Sequence, residues 1–93
     1  MTPATSTVFD VSAPWRLSEQ VSLRDEPFGA LAYHHGTRRL VFLKSRTLVD
    51  LVRALGSYAT AADAIASLVL VDEAARYEAA LSSLFESGVI DGR

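Results

Sequence analysis

Between residues 21 and 44 the chain is patterned at period two. Val21-Ser22-Leu23-Arg24 alternates apolar and polar, which predicts a half-buried strand. Asp25-Glu26-Pro27 follows with turn chemistry, because proline fixes its own φ and pushes Glu26 into extended backbone. Gly29 to His34 reads as a second strand with Leu31 and Tyr33 on one face, and His35-Gly36-Thr37 as the next turn, with Gly36 free to take positive φ. The third strand, over residues 38–44, breaks the alternation: Leu40, Val41, Phe42 and Leu43 are apolar on both faces. A strand buried on one side alternates, so this one asks for a partner beyond the domain's own core. In a domain this small, another chain is the natural candidate.

After Ser45 the period changes to that of a helix. Ser45 suits an N-cap, Leu48, Leu51, Val52 and Leu55 follow at helical spacing, and Gly56 is placed to end the run. Thr60 caps a second short helix whose inner face is expected to hold Ala62, Ile65, Ala66 and Val69. Asp72 opens a third, with Ala74, Tyr77, Leu81, Leu84 and Phe85 as its stripe and Gly88 as its terminator. Val89 and Ile90 are expected to tuck back onto the core. Residues 1–14, rich in Thr, Ser, Pro and Ala, read as a flexible arm, and Trp15-Arg16-Leu17 as the first anchor of a single domain over residues 15–93. The predicted fold class is α+β and winged-helix-like: a three-stranded antiparallel sheet followed by three short helices.

Composition narrows the function. A domain of 93 residues buries only about 60–65% of the surface its unfolded chain exposes, leaving little room for an enzyme's pocket walls and lid. The apolar share of 49% and mean hydropathy of +0.20 are high. No apolar run approaches the roughly 18–20 residues that span a bilayer, so the excess points to a contact surface. The opening MTPATSTVFD lacks the basic and apolar regions of a signal peptide, which predicts a cytoplasmic protein. The absence of cysteine excludes disulfides, thiolate zinc sites and cysteine-ligated iron–sulfur clusters. A net charge of −2 disfavours general nucleic-acid binding. Charge is nevertheless segregated. Arg38, Arg39, Lys44, Arg46 and Arg53 face only Asp50 in their stretch, whereas from Asp63 onward six acids oppose Arg76 and Arg93. An acidic partner would be steered to the basic zone.

Candidate chemistry is sparse. His34 and His35 are adjacent on a strand, so they point to opposite faces and cannot together chelate one metal; they read as a solvated pair lining a turn. Lys44-Ser45 resembles the end of a phosphate loop, but the strand follows Gly36 where it should precede it. There is no G-x-S-x-G elbow and no recognisable acid/base pair of carboxylates, so neither catalysis nor a cofactor is expected. The helix-three stripe of Tyr77, Leu81 and Leu84 fits a core face or one wall of a groove.

Trp15-Arg16-Leu17, the run E-P-F-G-A-L-A-Y from Glu26 to Tyr33, Arg38-Arg39-Leu40-x-Phe42-Leu43 and Leu81-x-x-Leu84-x-x-x-Gly88-Val89-Ile90 together resemble the mycofactocin-system peptide chaperone family over about residues 15–90. That family is similar to the pyrroloquinoline-quinone peptide chaperone and to precursor-peptide (RiPP) recognition elements. The resemblance implies a non-catalytic module that holds a short ribosomally made precursor peptide and presents it to a radical S-adenosylmethionine maturase. It further implies that the peptide adds as an antiparallel strand along Arg38, Arg39, Leu40, Val41, Phe42, Leu43 and Lys44, over a wall made by Arg76, Tyr77, Ala80, Leu81 and Leu84. A backbone N–H facing the peptide is expected at Val41 or Leu43. Two other classes remain open: a winged-helix DNA binder, whose third helix would set Arg76 against Asp72, Glu73, Glu78 and Glu86, and a structural module that homodimerises through the apolar strand. The expected state is a monomer or weak homodimer.

Overall fold

A computed structural model describes residues 8–93. The antiparallel sheet is built from β2 (Val21–Glu26), β3 (Gly29–His34) and β4 (Leu40–Leu43), in that spatial order. Three helices follow: α1 (Arg46–Ala54), α2 (Ala61–Leu68) and α3 (Ala74–Glu86), with 3-10 turns at Leu55–Ser57 and Val71–Glu73. The expected α+β arrangement of a three-stranded sheet and then three helices is present. A second, two-stranded sheet pairs β1 (Trp15–Leu17) with β5 (Ile90–Gly92), in the register Arg16↔Asp91. The sequence predicts only an anchor at residues 15–17 and a tuck at Val89 and Ile90, because strands of three residues so far apart in the chain leave no local signature.

Helix starts follow their caps. Ser45 Oγ accepts from the Leu48 N–H at 3.0 Å and Thr60 Oγ1 from the Asp63 N–H at 3.1 Å, each satisfying a donor that a first helical turn leaves unpaired. The start of α3 differs from expectation: Asp72 falls within a 3-10 turn, and Glu73 at the N-cap makes no side-chain capping bond. In α2 the buried face is Ala61, Ala64 and Ile65, with Val69 just beyond the helix, whereas Ala62 and Ala66 are exposed. Four alanines and one isoleucine between Ala61 and Leu68 leave the stripe ambiguous by up to a third of a turn.

The hairpins are tighter than expected. β2 and β3 pair as far as Glu26↔Gly29, so the connection is only Pro27 and Phe28. In the next turn positive φ falls on Arg38 (64°), not on Gly36, and the Arg38 N–H donates to the His34 carbonyl at 2.7 Å. Leu31 and Tyr33 do share a face, but it is the one turned away from the core; Ala30 and Ala32 fill the inner face and are almost fully buried. Their small size lets α1 close on β3, with Val49, Leu51 and Val52 buried between.

Of the arm expected over residues 1–14, residues 1–7 lie outside the described residues. Phe9 stacks on Trp15 (centroids 4.9 Å apart), and Trp15 meets Phe85 edge-on at 5.0 Å. The Trp15 indole N–H donates to the Asp10 carbonyl at 2.7 Å. The carbonyls of Ala13 and Val11 accept from the Ala61 and Ala62 N–H groups, so this segment completes the capping of α2. Arg93 serves the other end of the linker, its guanidinium donating to the carbonyls of Gly56 and Tyr58, both at 2.7 Å.

Gly29 is the position the sheet tolerates least. Its φ is +148°, and a Cβ there would run into the Leu43 carbonyl oxygen and lie 2.9 Å from the Ser45 nitrogen. Both obstacles are backbone and cannot swing aside. We expect Gly29→Ala to lose more than about 2 kcal/mol, a drop of roughly 8–16 °C in a thermal melt for a domain of this size. Gly92→Ala, where nothing lies within 4 Å of the added methyl, serves as control and is expected to melt like wild type. Equal melting temperatures for the two variants would show that the close approach is not rigid.

Candidate functional site

β4 is an edge. One side pairs with β3 in the register Tyr33↔Leu40, Ala32↔Val41, Leu31↔Phe42 and Ala30↔Leu43, and no strand lies on the other side among the described residues. The His34 N–H donates to the Arg39 carbonyl at 3.0 Å, which makes His34 and Arg39 a hydrogen-bonded pair. Hydrogen-bonded and non-bonded pairs alternate along an antiparallel ladder, so the N–H and C=O groups of Val41 and Leu43 turn toward β3 and those of Leu40 and Phe42 turn outward. The tight fit of the Leu43 carbonyl against Gly29 agrees with this parity. It corrects the expectation of a peptide-facing N–H at Val41 or Leu43: residues two apart point the same way, and both point inward.

The side chains of β4 divide across the sheet. Leu43 is buried and Val41 half-buried on the core side, while Leu40 (59% exposed) and Phe42 (57%) project from the outer face. Phe28 (43% exposed) meets Phe42 edge-on with centroids 5.8 Å apart, and Leu31 stands beside Phe42 in the register as Tyr33 does beside Leu40. Phe28, Phe42 and Lys44 line a hollow of about 330 Å³. Phe28 is the site residue that the sequence reading missed. From Ala30 to Tyr33 small residues face inward and large ones outward, but Phe28 lies in the turn and outside that alternation, so no local signal placed it on the outer face.

α3 contributes differently from the strand. Tyr77, Leu81 and Leu84 are buried in the core, Ala80 is half-buried, and Arg76 is exposed, ion-paired to Glu73 at 3.5 Å with its guanidinium 5.5 Å from the Tyr77 ring centre. The Tyr77 hydroxyl is 3.1 Å from Ser45 Oγ, the atom that caps α1, so α3 is tied to the joint between β4 and α1. Leu40 through Lys44 thus form one continuous strip with Arg38 and Arg39 at its start, and the expected helix residues lie behind its far end.

The basic zone is partly neutralised. Asp25 on β2 receives Arg53 at 3.1 Å and Arg46 at 3.4 Å. Hydrogen bonding from Arg46 first, and then from Arg53, holds the Asp25 carboxyl below its usual range. Sequence counting missed this pairing because Asp25 is remote in the chain. Arg38, Arg39 and Lys44 make no ion pair among the described residues, so the unneutralised cations flank β4 itself.

The histidines serve the hairpins. His34 Nδ1 accepts from the Gly36 and Thr37 N–H groups at 3.0 and 3.1 Å, and His35 Nε2 lies 2.7 Å from Ser22 Oγ. Among the described residues no group of three or more His, Asp or Glu side chains could hold a metal ion, and no helix is long and apolar enough to cross a membrane. A separate apolar hollow of about 310 Å³ lies between α2 and the start of α3, lined by Val11, Ile65, Val69, Val71 and neighbouring alanines with Glu78 as its one ionisable group. A single carboxylate there offers no acid/base pair.

The profile of the peptide chaperone MftB family matches residues 14–91. The chain is 46% identical over 88 residues to the peptide chaperone MftB of Mycolicibacterium smegmatis, covering 94% of this chain and 86% of that protein. It is 46% identical over 83 residues to the peptide chaperone MftB of Mycobacterium ulcerans, covering 88% and 76% respectively. Against that of Mycobacterium tuberculosis it is 54% identical over 55 residues, 59% of this chain and 50% of the other. No solved structure matches.

The Asp25 clamp fixes a pH dependence. A carboxyl whose folded pKa is depressed adds stability above its unfolded value, about 3.9, and loses it as pH falls through the lower folded value. We expect Asp25→Asn to melt below wild type at pH 7, with the gap closing as pH falls below the ordinary carboxylate range and shrinking in high salt. Parallel melts from pH 2 to 7 check this, and a gap that persists at pH 2 would assign the loss to something other than the charge.

Proposed function

The chain belongs to the peptide chaperone MftB family, and from that premise we propose that it holds a short, ribosomally made precursor peptide as an added strand on β4. The peptide is then presented to a radical S-adenosylmethionine maturase of mycofactocin biosynthesis. The family is one of peptide chaperones, not of enzymes. The observation that carries the binding mode is the open edge of β4, with outward backbone groups at Leu40 and Phe42 beside exposed apolar side chains.

Magnitudes favour a mixed interface. Two outward residues offer four hydrogen-bonding groups, worth about 1 kcal/mol net apiece. Micromolar binding needs about −8 kcal/mol after association costs, so the balance must come from covering Leu40, Phe42 and Phe28 at about 25 cal/mol per Å². Self-pairing through β4 is opposed by charge, since antiparallel copies would bring Arg38, Arg39 and Lys44 of each chain together. An acidic peptide meets attraction at the same groups. DNA binding through α3 is disfavoured because Arg76 is already paired to Glu73 and the helix surface also carries Glu78 and Glu86.

Three variants test the edge against a synthetic mycofactocin precursor peptide, with calorimetry as the readout. Phe42→Pro removes an outward N–H and is expected to bind about 1–3 kcal/mol more weakly than Phe42→Val, which loses the ring but keeps the N–H. Val41→Pro removes an N–H directed at β3 and is expected to cost stability instead. Equal affinity for Phe42→Pro and Phe42→Val, both folded by circular dichroism, would mean that the peptide does not pair with this edge.

Charge acts on encounter. Replacing Arg38 and Arg39 by Glu is expected to slow association more than it speeds dissociation, with the difference fading as salt rises. Stopped-flow rates unchanged at low ionic strength would sink that role for the two arginines.

A further inference from the structure

If a strand is added at β4 as proposed above, the side chains already lining its path dictate the sequence it carries. Leu40, Phe42 and Lys44 are spaced by two and share the outer face of the sheet. Phe28 stands against Phe42, and the hollow that these rings share with Lys44 is open to solvent, with both rings substantially exposed. Lys44 has no ion-pair partner among the described residues.

An added strand puts alternate residues on that same face, each beside its partner on β4. β2, β3 and β4 form a wholly antiparallel sheet, and an antiparallel newcomer continues its ladder in the slightly more stable arrangement. Such a strand runs opposite to β4 and meets Lys44 first, then Phe42, then Leu40. We infer that the bound peptide carries an acidic residue followed, at steps of two, by two large apolar residues: acid-x-apolar-x-apolar. The acid lies beside Lys44, the first apolar side chain fills the hollow at Phe28 and Phe42, and the second covers Leu40. The apolar pair supplies affinity, because an exposed ion pair contributes little. The acid supplies direction and register, since a slip of one residue would move all three side chains to the other face of the sheet.

The test uses nine-residue synthetic peptides with blocked ends as competitors of the labelled full precursor, read by fluorescence anisotropy at low salt. One holds Glu-Ser-Leu-Ser-Phe, a second the reversed order Phe-Ser-Leu-Ser-Glu, and a third Lys-Ser-Leu-Ser-Phe. On the wild-type chain the forward peptide is expected to compete at least 10-fold better than the reversed one and about 5-fold better than the lysine peptide. On Lys44→Glu the preference between the Glu and Lys peptides is expected to invert. Equal competition by forward and reversed peptides, or an acid preference that survives Lys44→Glu, overturns the pattern while the chaperone reading stands on the binding of the full precursor. Failure of the full precursor itself to bind removes the added-strand reading and this pattern with it.

Discussion

The position of β4 depends on one close approach, that of the Leu43 carbonyl to the bare Cα of Gly29. With no side chain at Gly29, the end of β4 closes against β3 and Ser45 follows at the right place to cap α1. From there the parity of the hairpin is set. Ala30 and Ala32 face inward under α1, while Phe28, Leu31 and Tyr33 face outward, so the sheet's bulk lies on the side that the domain does not cover. The E-P-F-G-A-L-A-Y run thus has a physical reading: a two-residue turn, a contact only glycine permits, and alternation of small inner with large outer residues.

An open apolar edge is normally a hazard, because it templates association with any other strand. Here the edge is short, four residues, and its ends carry Arg38, Arg39 and Lys44. Those cations oppose pairing with a second copy and would attract an acidic strand, so in the proposed binding mode one device serves both to avoid aggregation and to select a partner. Asp25 sharpens the arrangement by occupying Arg46 and Arg53, which leaves the unneutralised charge beside the edge and not along α1.

Local signals in the sequence were strong where chemistry is local. Ser45 and Thr60 announced their helices because an N-cap bond spans only three residues, and the doubly apolar run at Leu40 to Leu43 announced its exposure because the polar alternation was missing. Long-range pairings were not legible. The β1–β5 ladder and the Asp25 clamp join residues whose neighbourhood only the folded chain creates. The alanine-rich stretch of α2 failed for a different reason: methyl groups of equal size give no stripe to read, so packing against α1 and the segment at Val11 and Ala13 decided the face. The turn at Arg38 shows tertiary pairing overriding residue preference. With His34 and Arg39 fixed as a pair, the left-handed residue falls just before β4 and not at the nearby glycine.

In the proposed binding mode the buried stripe of α3 contributes through position and not through contact. Tyr77 reaches Ser45 with its hydroxyl, and Ser45 is both the residue after Lys44 and the cap of α1. Leu81 and Leu84 fix the helix in the core, so the Tyr77 hydroxyl meets Ser45 from a rigid support. A strip proposed to offer its backbone groups in register to an incoming strand would gain from such support, because any freedom left at its end would have to be lost on binding. On this account the α3 surface left accessible beside the joint, Ala80 and the Arg76 side chain, is where residues of the peptide facing the helices would lie. Tyr77, Leu81 and Leu84 act one layer below, holding the edge still.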